Sequence, residues 1–139
     1  MKDARVRRLS SLHKALFRLT GGRIGSRLVD NDMLLLTTTG ARTGQDHTVP
    51  LLYLEHEGAL VVIASYGGRD GHPQWYKNLL ADPRAGAQIG NESFPVESRV
   101  ASSEERSILW PRVVDAYDGY EVYQARTDRV IPLVLLRRR

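Results

Sequence analysis

The chain of 139 residues is long enough for one domain with its own hydrophobic core. Its 42% hydrophobic and 26% charged residues exclude a disordered chain, and the absence of cysteine excludes disulfides, thiolate metal sites and cysteine nucleophiles. The net charge of +4 is uneven: residues 1–27 hold eight basic residues and one acidic residue, residues 28–136 hold nine basic and 15 acidic residues, and three arginines end the chain. This acidic body argues against a nucleic-acid-binding domain, which would carry positive charge on its working face.

Residues 1–27 are predicted to form a separate basic, amphipathic helical segment. Apolar residues recur in it at spacings of three and four, namely Val6, Leu9, Leu12, Leu16 and Leu19. The segment lacks the apolar core and cleavage site of a secretory signal, so we expect a cytoplasmic protein. Two roles stay open for the segment: packing on the domain or on a partner subunit of a homodimer, and peripheral contact with anionic lipid on the inner face of the cell membrane.

Residues 28–139 are predicted to form one α+β domain, a mainly antiparallel barrel of about six strands with flanking helices. Short apolar runs between turns predict strands over 33–38, 48–56, 60–65 and 131–136, and a hairpin over 85–89 and 93–100. A helix is expected over 74–81 after Pro73. Ser102 and Glu105 form a capping box that opens a second helix, which Pro111 is expected to kink or restart.

Several familiar chemistries lack their motifs here. The sequence has neither the P-loop GxxxxGK[ST] pattern nor a GxGxxG after a strand, and no serine lies in a GxSxG elbow. The four histidines show no metal-ligand spacing. We therefore expect no metal site and no nucleotide site of these classes.

Three clusters remain as candidates for binding. The turn over 40–45 offers backbone N–H groups and Arg42 to an anion, or is a simple hairpin turn. Residues 64–78 combine glycines with Trp75, whose flat face suits a planar ring but which could equally belong to the core. Residues 117–124 hold three tyrosines, which could contact a flat ligand or pack as a lid on the barrel.

Taken in order, these clusters resemble the deazaflavin-dependent nitroreductase family. The resemblance rests on TTTGARTGQ, PLLY, ASYGG, HPQWYKNL with ADP, and YQARTDR with IP, and it runs from about Leu34 to Leu136. It implies a split β-barrel that binds coenzyme F420, an 8-hydroxy-5-deazaflavin, and passes a hydride from its reduced form to a quinone, nitroaromatic or similar acceptor. An organic cofactor that carries the electrons leaves the protein without need of a redox-active thiol, which agrees with the absence of cysteine.

The resemblance also implies the site residues. It places cofactor contacts at Gly40, Arg42, Thr43, Gly44, His47, Pro50, Ala64, Ser65, Tyr66, Trp75 and Asn78. It implies catalytic roles, in holding the acceptor or delivering a proton, for Ser65, Tyr117, Tyr120 and Tyr123. His47 stands where the family usually has arginine and Tyr66 where lysine is common, so two cations of the tail region are replaced.

Two other functions stay open at this point. One is an oxidoreductase of the same barrel class that binds flavin mononucleotide (FMN) instead of the deazaflavin. The other is a carrier that binds the deazaflavin without turning it over.

Overall fold

The computed structural model describes residues 33–139, and the predicted helical segment over 1–27 lies outside them. Six strands form: β1 (Met33–Thr39), β2 (Asp46–His56), β3 (Ala59–Ile63), β4 (Arg84–Ile89), β5 (Glu92–Val100) and β6 (Leu133–Arg138). The helices are α1 (Gln74–Ala81), α2 (Ser103–Ala116) and α3 (Gly119–Ala125), with a short 3₁₀ turn over Tyr66–Gly68. The predicted α+β architecture is confirmed.

The strands close into an antiparallel barrel in the order β1-β2-β3-β6-β5-β4. Hairpins join β1 to β2, β2 to β3 and β4 to β5, while β1 pairs with β4 and β3 pairs with β6 across long stretches of chain. Closure leaves none of these strands with an unpaired edge. The register aligns Leu35 with Pro50 and Thr37 with Thr48, which sets the side chains that share the face discussed below.

Alternation along the strands divides the core between the two faces of the sheet. Inside the barrel, Leu34, Leu36, Val62 and Val134 pack together with the aromatic side chains of α1. Outside it, Val61, Ile63, Leu133 and Leu135 of β3 and β6 are covered by α2 and α3. The outer face of β2, which pairs with β3, therefore lies beside this helical layer, and the outer face of β1 follows it.

The helix α2 begins at the predicted capping box, in which Ser102 and Glu105 each accept a hydrogen bond from the other's backbone N–H. Arg99 donates to both carboxylate oxygens of Glu105, and this hydrogen bond is the main cause that lowers the pKa of Glu105 to about 2. The helix continues through Pro111, so the expected restart at this residue does not occur. Pro111 and Ser107 are exposed, so water can reach the Ser107 carbonyl that loses its helical donor.

The last strand begins two residues later than expected and takes in Arg137 and Arg138. Arg138 pairs with Glu92 and lies over the ring of Phe94, 3.8 Å from its centroid, and Arg137 donates to the Glu57 carbonyl. These two C-terminal arginines are therefore part of the barrel wall.

Candidate functional site

The turn between β1 and β2 is fixed by its own backbone. The N–H of Gly40 donates to the Gln45 carbonyl over 2.7 Å, and the N–H of Gly44 donates to the Gly40 carbonyl over 2.9 Å. Gly44 has a φ of 71°, a conformation that favours glycine. The Thr43 hydroxyl accepts from the Gln45 N–H over 3.2 Å. The chain therefore holds this exposed loop in a defined shape.

The same turn presents donors to solvent. Within residues 33–139, the N–H groups of Arg42 and Thr43 have no hydrogen-bond partner, and the Arg42 side chain is exposed. Adjacent free amides beside a guanidinium are a suitable site for a phosphate or carboxylate. The turn thus fits the anionic tail that the resemblance implies.

Two further side chains converge over Gly40. A Cβ at this position would lie 2.8 Å from His47 Nε2 and 2.8 Å from Thr43 Oγ1. The side chains of His47, on the first part of β2, and of Thr43 therefore lie close against Gly40, and a larger residue here would have to displace them. The sequence-predicted residues Gly40, Arg42, Thr43, Gly44 and His47 are brought together.

Asn78 of α1 holds the turn in place through buried and part-buried hydrogen bonds. It is 1% exposed, and its Oδ1 accepts from the Ala41 N–H over 3.0 Å and from Gln74 Nε2 over 2.9 Å. Its Nδ2 donates to the hydroxyl of Thr38 over 3.0 Å. The carboxamide therefore links α1, β1 and the turn, and its predicted contact with the cofactor stays a prediction.

The outer face of β2 continues from the turn. Pro50 lies opposite Leu35, and the hydroxyls of Thr37 and Thr48 are 2.7 Å apart. Across β1, the same face opens into a groove of about 400 Å³ lined by residues of β1, β4 and β5, among them Leu35 and Thr37. The groove has no charged lining residue, so the anion donors are in the turn and not in the groove.

The segment after β3 forms a compact loop. Ala64 is buried, Ser65 is partly exposed, and Tyr66 is exposed with a φ of 49°. The guanidinium carbon of Arg69 lies 4.7 Å from the centroid of the Tyr66 ring. This stacking places a cation next to Tyr66, the position at which the resemblance implies a lysine.

Trp75 lies in the interior of the barrel and not in this loop. Its indole packs in the interior cluster of the barrel together with Tyr76 and Leu79 of the same helix. This is the core placement that the sequence left open, and the predicted contact of Trp75 with the cofactor stays a prediction.

The three tyrosines form one cluster on α3 and the residues before it. The ring centroids of Tyr117 and Tyr120 are 5.2 Å apart, and those of Tyr120 and Tyr123 are 6.0 Å apart. Tyr120 is 8% exposed, and its hydroxyl has no hydrogen-bond partner in the described part of the chain. Burial is the main cause that raises the pKa of Tyr120 well above its usual value, so this phenol stays protonated.

Tyr117 and Tyr123 differ from Tyr120 in their exposure. Tyr117 is exposed, and a hydrogen bond with Tyr123 is the main cause that raises the pKa of the Tyr117 hydroxyl. The exposed Tyr117 and the half-buried Tyr123 are more accessible to a substrate than Tyr120, which is buried. The catalytic roles of all three remain predictions.

The tyrosine cluster adjoins the 64–69 loop through Gly68. A Cβ at Gly68 would lie 2.5 Å from the Tyr123 carbonyl oxygen. The second and third sequence clusters therefore meet in space.

Sequence reasoning missed Arg129, which holds the 64–69 loop. Its guanidinium donates to the carbonyls of Ser65 over 2.7 Å, Arg69 over 2.8 Å and Ala64 over 3.2 Å. It also donates to Nδ1 of His72 over 3.1 Å. The only signal in the sequence is the segment ARTDR, which the resemblance included without giving this residue a role.

The contact with His72 predicts a pH dependence of stability. Burial, then the positive charges of Arg129 and Lys77, lower the pKa of His72 below 6.5, and Tyr76 packs on its ring. The neutral imidazole is thus favoured by folding, so its stabilisation is full above about pH 6.5 and is lost as the pH falls through the lowered pKa. We expect the midpoint of thermal unfolding to fall over this window, and to fall less in His72→Gln, whose amide oxygen can still accept from Arg129. An equal fall in both proteins would contradict this role of His72.

Two further features, a metal-binding cluster and a membrane-spanning helix, are absent from the described residues. No group of three or more histidine, aspartate or glutamate side chains between residues 33 and 139 is arranged to hold a metal ion. No helix in this range is long and apolar enough to cross a membrane.

Comparison with known proteins gives one family. The family model of the F420H(2)-dependent quinone reductases matches residues 9–138. An F420H(2)-dependent quinone reductase of Mycobacterium tuberculosis, Rv1261c, is 39% identical over 136 residues, which cover 94% of this chain and 91% of the relative. The solved F420-H2 dependent reductase FDR-A is 40% identical with a TM-score of 0.69, covering 76% of this chain and 93% of that chain.

A second solved structure, described as a domain-swapped dimer, is 35% identical with a TM-score of 0.71 and covers 92% of this chain and 96% of that chain. The resemblance read from the motifs is confirmed. The chain belongs to the F420H(2)-dependent quinone reductase family.

Proposed function

We propose that this protein is an oxidoreductase that binds reduced coenzyme F420 and uses it to reduce a quinone. The family match over residues 9–138 carries the proposal. The structure supports it with a turn at one end of β2 whose free amides and Arg42 suit an anion, and with a tyrosine cluster that adjoins the loop after β3. Nitroaromatics and related acceptors are proposed as further substrates of the same site.

The residues divide into a tail site and a ring site. The tail is proposed to bind at Gly40, Arg42, Thr43, Gly44 and His47, where the free amides and the guanidinium lie. The deazaflavin is proposed to lie against Pro50, Ala64 and Ser65, with Trp75 and Asn78 behind them, and Tyr66 is proposed to lie toward the tail. Arg42 and the free amides supply local attraction, because the domain over 28–136 is acidic as a whole.

The bound cofactor supplies the hydride, and the protein supplies binding, orientation and a dry surface. The closed turn and the loop fix the two halves of the site before ligand arrives, which reduces the entropy cost of a reactive geometry. Ser65 is proposed to donate to the acceptor oxygen as negative charge develops. Tyr117 or Tyr123 is proposed to hold the proton that the acceptor finally takes, while Tyr120 packs beneath them.

The proposed function is tested by titration with reduced F420, followed by a panel of quinones and nitroaromatics. Tight binding with turnover of menadione supports it. Binding without oxidation in the presence of any acceptor would indicate a carrier. Purification with bound FMN, shown by a flavin absorption spectrum at longer wavelength than that of the deazaflavin, would indicate the FMN alternative.

Arg42 gives a direct test of the tail site. We expect Arg42→Ala to weaken F420 affinity about ten- to hundredfold, because a charge-assisted hydrogen bond is lost. The rate of hydride transfer at saturating cofactor should change much less, since Arg42 is proposed to bind the tail and not the deazaflavin ring or the acceptor. The dissociation constant from fluorescence and single-turnover rates measure the two effects. Unchanged affinity would rule out the anion-binding role.

Two predictions about partners remain. A homodimer is proposed because a 35% identical protein forms a domain-swapped dimer. Contact of residues 1–27 with anionic lipid stays a prediction, as does a cytoplasmic location.

A further inference from the structure

Arg129 lies where one side chain can control a whole loop. It precedes β6, and its contacts reach back to residues 57 to 65 positions earlier in the chain. Three of its acceptors are backbone carbonyls of one segment, Ala64–Arg69. A planar guanidinium with five N–H donors suits such a set, whereas an ammonium group cannot span it.

The backbone that carries this side chain is itself held in place. Gln124 donates from Nε2 to the Arg129 carbonyl over 2.8 Å, and its Oε1 accepts from the N–H of Ile131 over 2.9 Å. The hydroxyl of Thr127 donates to Asp70 Oδ1 over 2.9 Å and accepts from the Arg129 N–H over 3.3 Å. The segment over 124–131 therefore holds the 64–70 loop through two contacts, that of the Arg129 guanidinium with the loop carbonyls and that of Thr127 with Asp70.

The 64–70 loop needs such support. Tyr66 adopts a φ of 49°, which is unfavourable for a residue with a side chain, and Gly67 and Gly68 follow with positive φ. A backbone of this kind persists where its surroundings hold it. Because the guanidinium takes the carbonyls on both sides of Tyr66, a rearrangement of the loop must break several charge-assisted hydrogen bonds together.

We propose that Arg129 is a positioning residue of the cofactor site, which fixes the Ala64–Arg69 backbone so that Ser65 is set for the deazaflavin and Tyr66 for the tail before the cofactor binds. The inference rests on the proposed function, because the ring site is part of it. Arg129 reaches the reaction through the loop carbonyls and has no direct contact with the reacting atoms.

The experiment compares Arg129→Lys and Arg129→Gln with the matched control Arg112→Lys. Arg112 also donates to a histidine Nδ1 and a backbone carbonyl, those of His56 and Glu55, at the opposite end of β2 from the turn. Thr127→Val serves as a milder second variant in case the Arg129 variants fail to fold. Each folded protein is studied by amide hydrogen exchange without ligand and by titration with reduced F420.

We expect the Arg129 variants to show faster exchange confined to residues 64–72 and F420 affinity lower by about ten- to hundredfold. Thr127→Val should shift both readouts in the same direction by less, and Arg112→Lys should shift neither. Faster exchange with unchanged affinity, or equal losses in Arg112→Lys, would overturn the positioning role. If the wild-type protein fails to bind F420, the proposed function falls first and the positioning role falls with it.

Discussion

Replacement of Gly68 by alanine is expected to cost about 2–5 kcal/mol of stability and to remove most F420 binding. The added Cβ would lie 2.5 Å from the carbonyl oxygen and 2.9 Å from the Cα of Tyr123, and Gly68 has a φ of 79°. Both contacts are with backbone, so they are relieved only if the 3₁₀ turn and α3 separate. Chemical denaturation and the F420 dissociation constant measure the two effects.

Gly67→Ala is the matched control for Gly68→Ala. Gly67 is in the same 3₁₀ turn with a φ of 64°, but a Cβ there meets no atom within 4 Å. It therefore carries the backbone cost without the collision, and we expect a loss of about 1–2 kcal/mol. Equal effects of the two substitutions would show that close contact between loop and tyrosine helix is not what the site requires.

Replacement of Asn78 by leucine is expected to destabilise the protein by about 2–4 kcal/mol and to weaken F420 binding. The branched shape is kept, but the part-buried Ala41 N–H and the buried Thr38 hydroxyl lose their hydrogen-bond partner. The turn would then lose its link to α1. Denaturation, together with F420 titration under conditions where the variant is folded, gives both values.

Gln74→Leu is the control for Asn78→Leu. It removes the other hydrogen bond to Asn78 Oδ1 from an exposed side chain and leaves the links to Ala41 and Thr38 intact. We expect it to change stability and affinity little. If Asn78→Leu instead weakened binding with no loss of stability, Asn78 would be a direct cofactor contact and not an anchor of the turn.

Most of the barrel follows from local sequence patterns. The short apolar runs, the hairpin around Gly90 and the capping box of Ser102 are each encoded within about ten residues, so periodicity and turn chemistry predict them. The helix over Gln74–Ala81 has the predicted bounds because Pro73 sets its start. Pro111 is the exception, since its tolerance depends on exposure that the sequence does not give.

The site is less accessible to this reasoning, because its contacts are not local. Asn78 is 40 residues from Thr38, and Arg129 acts on carbonyls more than 50 residues away. Motif resemblance marks residues near the ligand but is silent on which of them bind it and which hold its neighbours. Burial of Tyr120 and of Trp75 likewise depends on how α1 and α3 pack, and only the structure gives it.

The pairing of β3 with β6 has a consequence for how the protein folds. Leu60 pairs with Leu136. The loop held by Arg129 directly follows β3, while Arg129 itself lies shortly before β6. Contacts of such long sequence separation form late and slowly, since the chain must first lose the entropy of a large closed loop. The ring half of the site is therefore assembled in the same event that closes the barrel, and a chain still open between these two strands has no ring site to offer.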